Sequence, residues 1–507
     1  EGTASAAVLV AADEGGARAR PVFIGLLLGA GYKALLSLAK LWPDEVAIRL
    51  PVLKKGVLGI EPTPALMGVG YVLGYRISAI MVAGGLLSWL AIIPLIALVG
   101  EALPTPLFAD LFPAGSTPTP IADMTAGEIW SRYVRYIGAG AVATAGILAV
   151  FKSIPVMIAS VREGLRGLAA RKQGAPSTLR TQRDLPMTVV LLGTVAIVLL
   201  LALVPGVLGG GAPILFRTIA AVCIAVFAFL FVTVSSRIVG LVGVTSNPTS
   251  GMAIVTLLGT SVLFYSMGWT DAFGKVTVLT IGTVVCVAAS MAGDISQDLK
   301  TGYLIGATPA RQQAAEITGA IVNAGVIAGV VLLLGTQYGF GGTDFPAPQA
   351  TLMKTVIDGV LNANLPWGLV LTGGAFAIVA ELLGIPSLAF AVGIYLPLST
   401  MTPVFAGGCV RAIVERAKAR ATGGPDGGGG DTGSGMLLAS GLIAGEGVMG
   451  IGLAVTALVL QRKPEGLSFG LDGVPGDVVS LAAFAALGWF LYRTARRGGS
   501  AIRSAGG

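Results

Sequence analysis

The chain has 507 residues, of which 54% are hydrophobic and only 12% carry a charge, and its mean hydropathy is +0.84. Since soluble globular proteins carry about 25% charged residues, this composition excludes an ordinary soluble domain. The formal net charge is +7. The basic residues lie mostly in loops, and no basic patch is interleaved with aromatic side chains, so no nucleic-acid partner is predicted.

Apolar runs long enough to cross a bilayer, roughly 17–25 residues each, recur along the chain. The more continuous runs are Ser78–Gly100, Gly127–Phe151, Pro186–Pro205, Ala212–Val234, Gly274–Ala292, Ile317–Leu334, Gly368–Ile385, Gly435–Leu460 and the shorter Val478–Tyr492. The more broken runs are Pro21–Trp42, Ile60–Tyr75, Gly251–Gly268 and Pro386–Phe405. All are uniformly apolar rather than alternating, which argues against a β-barrel. We therefore predict an all-α polytopic membrane protein with about a dozen or more transmembrane or re-entrant helices.

The charged loops predict the orientation of the protein. Lys152–Arg183 and Arg411–Arg420 are basic, whereas all the charged residues of Glu101–Glu128 are acidic. The positive-inside rule places the basic loops in the cytoplasm, and the Ala-, Gly-, Val- and Arg-rich usage is compatible with a bacterial inner membrane. For both basic loops to share one side, Pro386–Phe405 must enter and leave on the same side. We predict a re-entrant or broken hairpin there, with a kinked full crossing as the alternative.

An internal echo indicates a repeat. Val69–Leu73 resembles Val392–Leu396, and a register built on this echo pairs Ser78–Gly100 with Gly435–Leu460. The same register leaves the first copy about four helices short at its start. It therefore predicts that this chain is a fragment lacking the N-terminal helices.

The echo also predicts two repeat-related halves. Their predicted limits are 1–185, with a cytoplasmic loop at 152–185, and 186–507, with a glycine-rich linker at 421–435. A linker of this composition is expected to be flexible.

Ionisable residues within apolar runs are costly, so each is a functional candidate. Glu446 is the sharpest, because it lies mid-run between Gly445 and Gly447, where a ligand or another backbone can approach closely. A buried carboxyl group can take up and release a proton near neutral pH. A carboxylate that is merely satisfied by an arginine or a helix end is the alternative. Glu381 and Glu61 are candidates of the same kind, with an interfacial or helix-capping acid as the alternative.

The polar segment after the run Gly274–Ala292 brings further candidates together. Asp294 and Asp298 are four residues apart, so on a helix they share one face and could hold a cation or a proton. Gln297 and Lys300 add hydrogen-bonding groups nearby. The alternative is a solvated helix end.

Asn247 precedes a proline between two apolar runs, where an interrupted helix could expose backbone groups to a substrate. A plain loop is equally consistent with this pattern. No catalytic residue, metal-ligand set or cofactor is predicted. Since the chain contains no histidine, carboxylates are the expected proton carriers.

The most distinctive segment is GDISQDLKTGYLIGATPARQQ at Gly293–Gln313. Further distinctive segments are Glu1–Ala4, Gly59–Arg76, Asn247–Leu258, Gly393–Arg411 and Gly441–Gly450. Together these segments span nearly the whole chain and resemble the oligopeptide transporter family. The resemblance implies secondary active transport, usually proton-coupled symport, of small peptides or peptide-like metal chelates. It establishes no individual binding residue.

We therefore expect a transporter that works by alternating access, with its substrate near the bilayer midplane where broken helices meet. Its expected partners are a small peptide or metal chelate, protons and the lipid bilayer, and a homo-oligomer is compatible with its size. One alternative is a membrane-embedded Mg-dependent prenyl-transferring enzyme that uses Asp294 and Asp298, although no second acidic motif accompanies them. The other is a passive channel, which would show no proton dependence.

Overall fold

A computed structural model describes residues 20–103, 119–171, 179–208, 213–242, 249–340, 347–361, 366–422, 433–460, 471 and 473–497, with Gly2, Ser5, Ala6 and Leu9. These residues are almost entirely helical, apart from one two-stranded hairpin. Eight helices in this part of the chain are long and apolar enough to cross a membrane. The prediction of an all-α polytopic membrane protein is confirmed.

The elements follow one another along the chain. The first group comprises α1 (Arg20–Ala34), β1 (Val46–Arg49), β2 (Val57–Ile60), α2 (Pro64–Leu73), α3 (Tyr75–Leu87), α4 (Ile93–Gly100), α5 (Ala126–Ile129) and α6 (Arg135–Arg171). The second group comprises α7 (Met187–Leu203), α8 (Ile214–Val242), α9 (Thr249–Ser266), α10 (Ala272–Leu304), α11 (Pro309–Tyr338) and α12 (Pro348–Leu361). The third group comprises α13 (Trp367–Leu382), α14 (Ser387–Tyr395), α15 (Leu398–Thr422), α16 (Ser434–Leu460) and α17 (Val474–Arg497).

Contacts divide the chain into two compact units. The first unit comprises Glu1–Val10, Ala143–Gly329 and Phe340–Leu365, and the second comprises Ala11–Val142, Val330–Gly339 and Pro366–Gly507. In the first unit, α8, α9, α10 and α12 share an apolar core. At its centre the ring of Phe216 lies 4.4 Å from that of Trp269 and 5.0 Å from that of Phe264, an arrangement typical of packed aromatic clusters.

The second unit contains two broken helices. The first break lies between α2 and α3, where Gly74 adopts a φ of +82° that favours glycine. The second lies between α14 and α15, where Leu396 is extended and Pro397 follows. Because proline restricts the residue before it to extended conformations, a helix ends at this point. Pro386–Phe405 is therefore broken, as both the re-entrant hairpin and the kinked crossing require, and the choice between them stays a prediction.

The two broken helices pack reciprocally, because α2 packs against α15 and α14 packs against α3. Four glycines lie so close to a carbonyl oxygen of the facing helix that a Cβ atom would overlap it. The glycine–carbonyl pairs are Gly70 with Val404, Gly407 with Met67, Gly393 with Met81 and Gly84 with Phe390. A shift of 323 residues maps Gly70 onto Gly393 and Met81 onto Val404, so the first pair becomes the third. Such exchange of equivalent residues is the signature of a two-fold relation.

The neighbouring helices repeat this reciprocity. Their glycine–carbonyl pairs are Gly25 with Leu438, Gly441 with Val22, Gly373 with Ile137 and Gly140 with Val370. A shift of 348 residues maps Gly25 onto Gly373, and a shift of 301 residues maps Gly140 onto Gly441. Thus α1, α2, α3 and the start of α6 are repeated as α13, α14, α15 and α16.

The structural repeat corrects the register drawn from the sequence. The predicted pairing of Ser78–Gly100 with Gly435–Leu460 is wrong, because α3 corresponds to α15 and α16 corresponds to the start of α6. The hairpin between α1 and α2 has no counterpart between α13 and α14. A single sequence offset therefore cannot align all the helices of the two copies.

The hairpin is an element that hydropathy did not predict. β1 and β2 are antiparallel, with Val46 opposite Ile60. The Lys55 ammonium group closes the turn onto the loop before α5, where it donates to the carbonyl oxygens of Ile121 at 2.8 Å and Ala122 at 2.6 Å. The second strand of the hairpin ends at Ile60, shortly before α2 begins at Pro64.

The helix α6 is longer than predicted, and the helix α11 is largely exposed. The helix α6 continues to Arg171, so the first part of the predicted loop 152–185 is helical; at 1.5 Å per residue it is about 55 Å long and exceeds the bilayer core. The helix α11 has no buried residue. An apolar helix with this exposure is suited to contact with lipid tails.

Candidate functional site

The Glu446 carboxylate lies where three elements of the second unit meet. Its Oε2 atom accepts a hydrogen bond of 2.7 Å from the backbone N–H of Ala65, the second residue of α2. Its Oε1 atom lies 3.6 Å from the Nζ atom of Lys33 on α1. The Glu446 side chain is 13% exposed and that of Lys33 is 27% exposed. A mostly buried ion pair thus sits at the beginning of a broken helix.

The start of α2 explains why it attracts a carboxylate. Pro64 occupies the first helical position, and the side chain of Thr63 at the N-cap makes no capping hydrogen bond. The first N–H groups of a helix have no intrahelical partner and carry a partial positive charge. Glu446 on α16 therefore caps α2 from another part of the chain.

Close packing of α1 on α16 brings Lys33 to this carboxylate. A Cβ atom at Gly445 would overlap the carbonyl oxygen of Leu26, and one at Gly29 would overlap that of Leu442. Small residues let membrane helices approach in this way. Because Lys33 lies four residues after Gly29, it shares the face of α1 that contacts α16.

Glu61 lies within electrostatic range of the same lysine. Its backbone N–H donates to the carbonyl oxygen of Ser399 at 2.9 Å, and its carboxylate lies 3.5 Å from the hydroxyl of Thr400. Burial raises the pKa of Glu61 above its usual value; the charge of Lys33 opposes this shift, and that of Glu446 adds to it. Asp44 and Glu45 raise this pKa further. The structure thus brings together Glu446 and Glu61, two candidates that the sequence proposed separately.

Replacing Glu61 by glutamine should flatten the dependence of stability on pH. Because the pKa of Glu61 is raised on folding, the unfolded chain ionises first, and the folded state loses stability as pH rises from the unfolded pKa to the folded pKa. Below the unfolded pKa this loss is absent. We expect Glu61→Gln to be more stable than the wild type at neutral pH, with the difference shrinking at acidic pH.

Thermal unfolding of the purified protein across this pH range measures the effect. Glu415→Gln is the matched control, since Glu415 forms an exposed ion pair with Arg411. Equal shifts for both variants, or a gap that widens on acidification, would contradict the assignment.

Glu381 lies at the end of α13, and its Oε2 atom accepts a hydrogen bond of 2.6 Å from the Ser387 hydroxyl at the start of α14. The shift that maps α1 onto α13 places Glu381 at the position equivalent to Lys33. The two copies of the repeat therefore carry opposite charges at this position. Each charge lies near the beginning of a broken helix.

In the first unit, the Gln297 amide binds backbone groups of two other segments. Its Oε1 atom accepts from the N–H of Gly2 at 2.8 Å, and its Nε2 atom donates to the carbonyl oxygen of Val239 at 3.0 Å. The hydroxyl of Thr301 donates to the carbonyl oxygen of Gly2 at 2.9 Å. Gln297 is 7% exposed, and its amide holds these three segments together.

Other candidates of the first unit lie on the same helix, α10. Asp294, Asp298 and Lys300 are exposed, and the Lys300 ammonium lies 5.4 Å from the centre of the Tyr303 ring. Asp294 and Asp298 share a helix face as predicted from their spacing. Asn247 lies outside the residues that the structure describes.

Lys33 is the member of the charged cluster around Glu446 that sequence reasoning missed. It lies near the end of the run Pro21–Trp42, where a lysine is expected to reach toward the membrane surface. The usable signal was an ionisable residue on the face that carries Gly25 and Gly29. The alignment of that face with α16 becomes visible only in the fold.

Comparison with known proteins shows which family the chain resembles. Residues 1–457 match the family described as "OPT oligopeptide transporter protein". A Haemophilus influenzae protein named "Putative oligopeptide transporter" is 32% identical over 432 residues, covering 77% of this chain and 65% of that protein.

Two plant proteins are also similar. The "Probable metal-nicotianamine transporter YSL13" of Oryza sativa subsp. japonica is 28% identical over 242 residues, covering 43% of this chain and 32% of that protein. The "Probable metal-nicotianamine transporter YSL5" of Arabidopsis thaliana is 28% identical over 251 residues, covering 40% and 33%. The chain therefore spans less than two thirds of the bacterial relative and about one third of each plant relative.

Proposed function

Because this chain belongs to the oligopeptide transporter family, we propose that it carries small peptides or metal chelates across a membrane, coupled to protons through Glu446. The family and the relatives named above are transporters, which removes the prenyl-transferring enzyme as an alternative. The proposal includes a multi-pass protein of the bacterial inner membrane with its basic loops in the cytoplasm.

The observation that carries the proposal is the placement of the Glu446 carboxylate between Lys33 and the start of α2. Buried ionisable groups in membrane helices are costly and mark ion or substrate paths. In transporters, substrate sites commonly form where interrupted helices end inside the membrane. Glu446 couples these two features, because one of its oxygens caps such a helix and the other faces a cation.

A proton can reach this carboxylate at Oε1, since Oε2 is held by the N–H of Ala65. Protonation cancels the charge that binds Glu446 to both Lys33 and α2. The contacts that Glu446 makes from α16 to α1 and α2 are then weakened. We propose that this change lets the repeat-related helices rearrange between outward-open and inward-open states.

We propose secondary roles for the other candidate residues. Glu61 shares the field of Lys33 and would tune proton release, while Glu381 would stabilise the second broken helix through Ser387. Asp294 and Asp298 are proposed as further proton or cation ligands at one end of α10. Gln297 and Lys300 are proposed as hydrogen-bonding groups beside these acids, and Asn247 as a substrate-binding residue.

Reconstitution into proteoliposomes with an imposed inward proton gradient tests the proposal. We expect gradient-dependent accumulation of either labelled trialanine or a chelated iron complex, and its loss when a protonophore is added. Equal uptake with and without the gradient would indicate a passive channel. Absence of uptake of both probes by a folded, correctly inserted sample would overturn the transport proposal.

A further inference from the structure

Arg411 binds the end of the broken helix α2. Its Nη1 atom donates to the carbonyl oxygen of Val72 at 2.8 Å and to that of Tyr71 at 3.3 Å. These carbonyl groups belong to the last turn of α2, where helix carbonyls lack an intrahelical partner and carry a partial negative charge. The sequence predicts a basic loop at Arg411–Arg420, whereas the structure places these residues within α15. A guanidinium group from α15 thus caps the C-terminal end of α2.

Close packing of α15 on α2 sets the position of this guanidinium group. A Cβ atom at Gly407 would overlap the carbonyl oxygen of Met67. Arg411 lies four residues after Gly407, so it shares the face of α15 that contacts α2. Its Nε atom donates to Glu415 at 2.7 Å, which leaves Nη1 on the carbonyl groups of α2.

Helix α2 is therefore held by a charge at each end, and both charges come from other helices. The Glu446 carboxylate of α16 takes the backbone N–H of Ala65 at the start, and Arg411 takes the carbonyl groups at the end. A negative group at the N-terminus and a positive group at the C-terminus both stabilise the dipole of a helix. Since α2 has only ten residues, these two contacts fix both of its ends between α15 and α16.

The second copy of the repeat holds the end of its equivalent helix, α14, with a neutral group. The shift of 323 residues relates Arg411 to Ser88, and Tyr71 to Ile394. The Ser88 hydroxyl donates to the carbonyl oxygen of Ile394 at 2.9 Å. Ser88 thus makes the contact equivalent to that of Arg411, but without a charge.

The residue equivalent to Glu446 is also uncharged. The shift of 301 residues relates Glu446 to Ala145 in α6. The carboxylate near the start of α14 is Glu381, which accepts a hydrogen bond from the side chain of Ser387, six residues further along the chain. The two charged contacts that α15 and α16 make with α2 therefore have no charged counterparts at the equivalent positions.

We propose that Arg411 is a positioning residue for transport: together with Glu446 it fixes α2, and α2 moves when Glu446 is protonated while α14 stays in place. This inference rests on the proposed proton coupling through Glu446 and adds which copy of the repeat responds to the proton. While Glu446 is ionised, both ends of α2 must be released together, which keeps α2 from moving without a proton. Protonation removes the charge at the start of α2, and Arg411 alone then holds the helix.

The titratable groups around the two ends of α2 define the controls. Those near Glu446 are Lys33, Tyr32 and Glu61, and those near Arg411 are Glu415 and Tyr71. Lysine and tyrosine side chains usually titrate at about pH 10, so the carboxyl groups are the ones that respond to acidification. The response of α2 should therefore persist in Glu61→Gln and Glu415→Gln.

Hydrogen exchange of the purified wild-type protein, at neutral and at mildly acidic pH, tests which helix responds. After correction for the intrinsic pH dependence of exchange, the amides of α2 should exchange at least about tenfold faster at acidic pH, the effect of losing one charged hydrogen bond. The amides of α14 should keep their rate. In Glu446→Gln, α2 should exchange at the faster rate at both pH values.

Arg411→Gln should uncouple transport from the proton gradient. With its end released, α2 can move while Glu446 is still ionised. Uptake without a gradient should then rise about tenfold, and accumulation driven by the gradient should fall. The probe is labelled trialanine or the chelated iron complex, whichever the wild type accumulates.

Two further variants separate positioning from general stability. Arg411→Lys should retain coupling, because the contact with α2 uses one nitrogen atom and needs no bidentate fork. Ser88→Ala is the matched control, since it removes the equivalent hydrogen bond in the second copy. It should lower thermal stability without changing the ratio of gradient-driven to gradient-free uptake.

Several outcomes would overturn the inference. In the wild type, where no variant has to fold, these are equal acceleration of exchange in α2 and α14 or no acceleration in either. Among the variants, they are a parallel fall of both uptake rates in Arg411→Gln, or the same change of ratio in Ser88→Ala. Faster exchange in α2 alone, without gradient-driven uptake, would overturn the proposed coupling and leave the charged hold on α2 in place. Gradient-driven uptake with equal exchange in the two helices would overturn this inference alone.

Discussion

Glu446→Gln is expected to abolish accumulation of substrate against its gradient while leaving the protein folded. Glutamine keeps the size of the side chain and can still accept the N–H of Ala65, but it cannot exchange a proton. At one proton per substrate, a gradient of about two pH units supports about 100-fold accumulation, since each unit corresponds to a factor of ten. The variant should therefore reach only the external concentration.

Proteoliposomes with an imposed proton gradient measure this loss. Glu415→Gln removes a carboxylate from an exposed ion pair and should accumulate substrate as the wild type does. Glu446→Asp retains an ionisable group and should keep part of the coupling. Full accumulation by Glu446→Gln would show that another group carries the proton, and Glu61 would be the next to test.

Gly445→Ala is expected to damage both stability and transport, whereas Gly447→Ala is not. A Cβ atom at Gly445 would overlap the backbone carbonyl of Leu26, so α1 and α16 must separate. Overpacking of this kind typically costs about 1–3 kcal/mol. The separation also draws Lys33 away from Glu446, and we expect transport to fall by about tenfold or more, since a charged contact is worth about 1.5–3 kcal/mol.

The adjacent glycine provides the matched control. Nothing lies within 4 Å of the position that a Cβ atom would take at Gly447. Because alanine favours helix more than glycine does, Gly447→Ala should stabilise α16 by up to about 1 kcal/mol and leave transport nearly unchanged. Thermal unfolding in detergent, together with uptake in proteoliposomes, compares the two variants. Equal behaviour of both would contradict the close packing of α1 on α16.

The two copies of the repeat carry charged residues at equivalent positions. Lys33 and Glu381 occupy equivalent positions before equivalent broken helices, but their partners differ. Lys33 faces a carboxylate from α16, whereas Glu381 accepts a hydrogen bond from Ser387 within its own copy. At this position one copy thus carries a lysine that faces a carboxylate, and the other carries a carboxylate that accepts a hydrogen bond from a serine.

The sequence by itself determined the membrane class and the break near Pro397, and it singled out Glu446 as a candidate. Each depends on local properties: the length of apolar runs, the backbone restriction imposed by proline, and the cost of an ionisable group in an apolar segment. The family could also be identified from short segments such as Gly293–Gln313. None of these features requires knowledge of which helices touch.

Only the tertiary structure decided the partners of Glu446 and the register of the repeat. Ala65 and Glu446 are 381 residues apart, and no spacing rule relates a carboxylate on one helix to the start of another so distant in the chain. Lys33 reaches the site because glycines let α1 approach α16 closely, a property of two surfaces in contact. The offset between the two copies is 348 residues at α1, 323 at α2 and α3, and 301 at the start of α6. Insertions such as the hairpin change these offsets and leave the packing of equivalent helices intact.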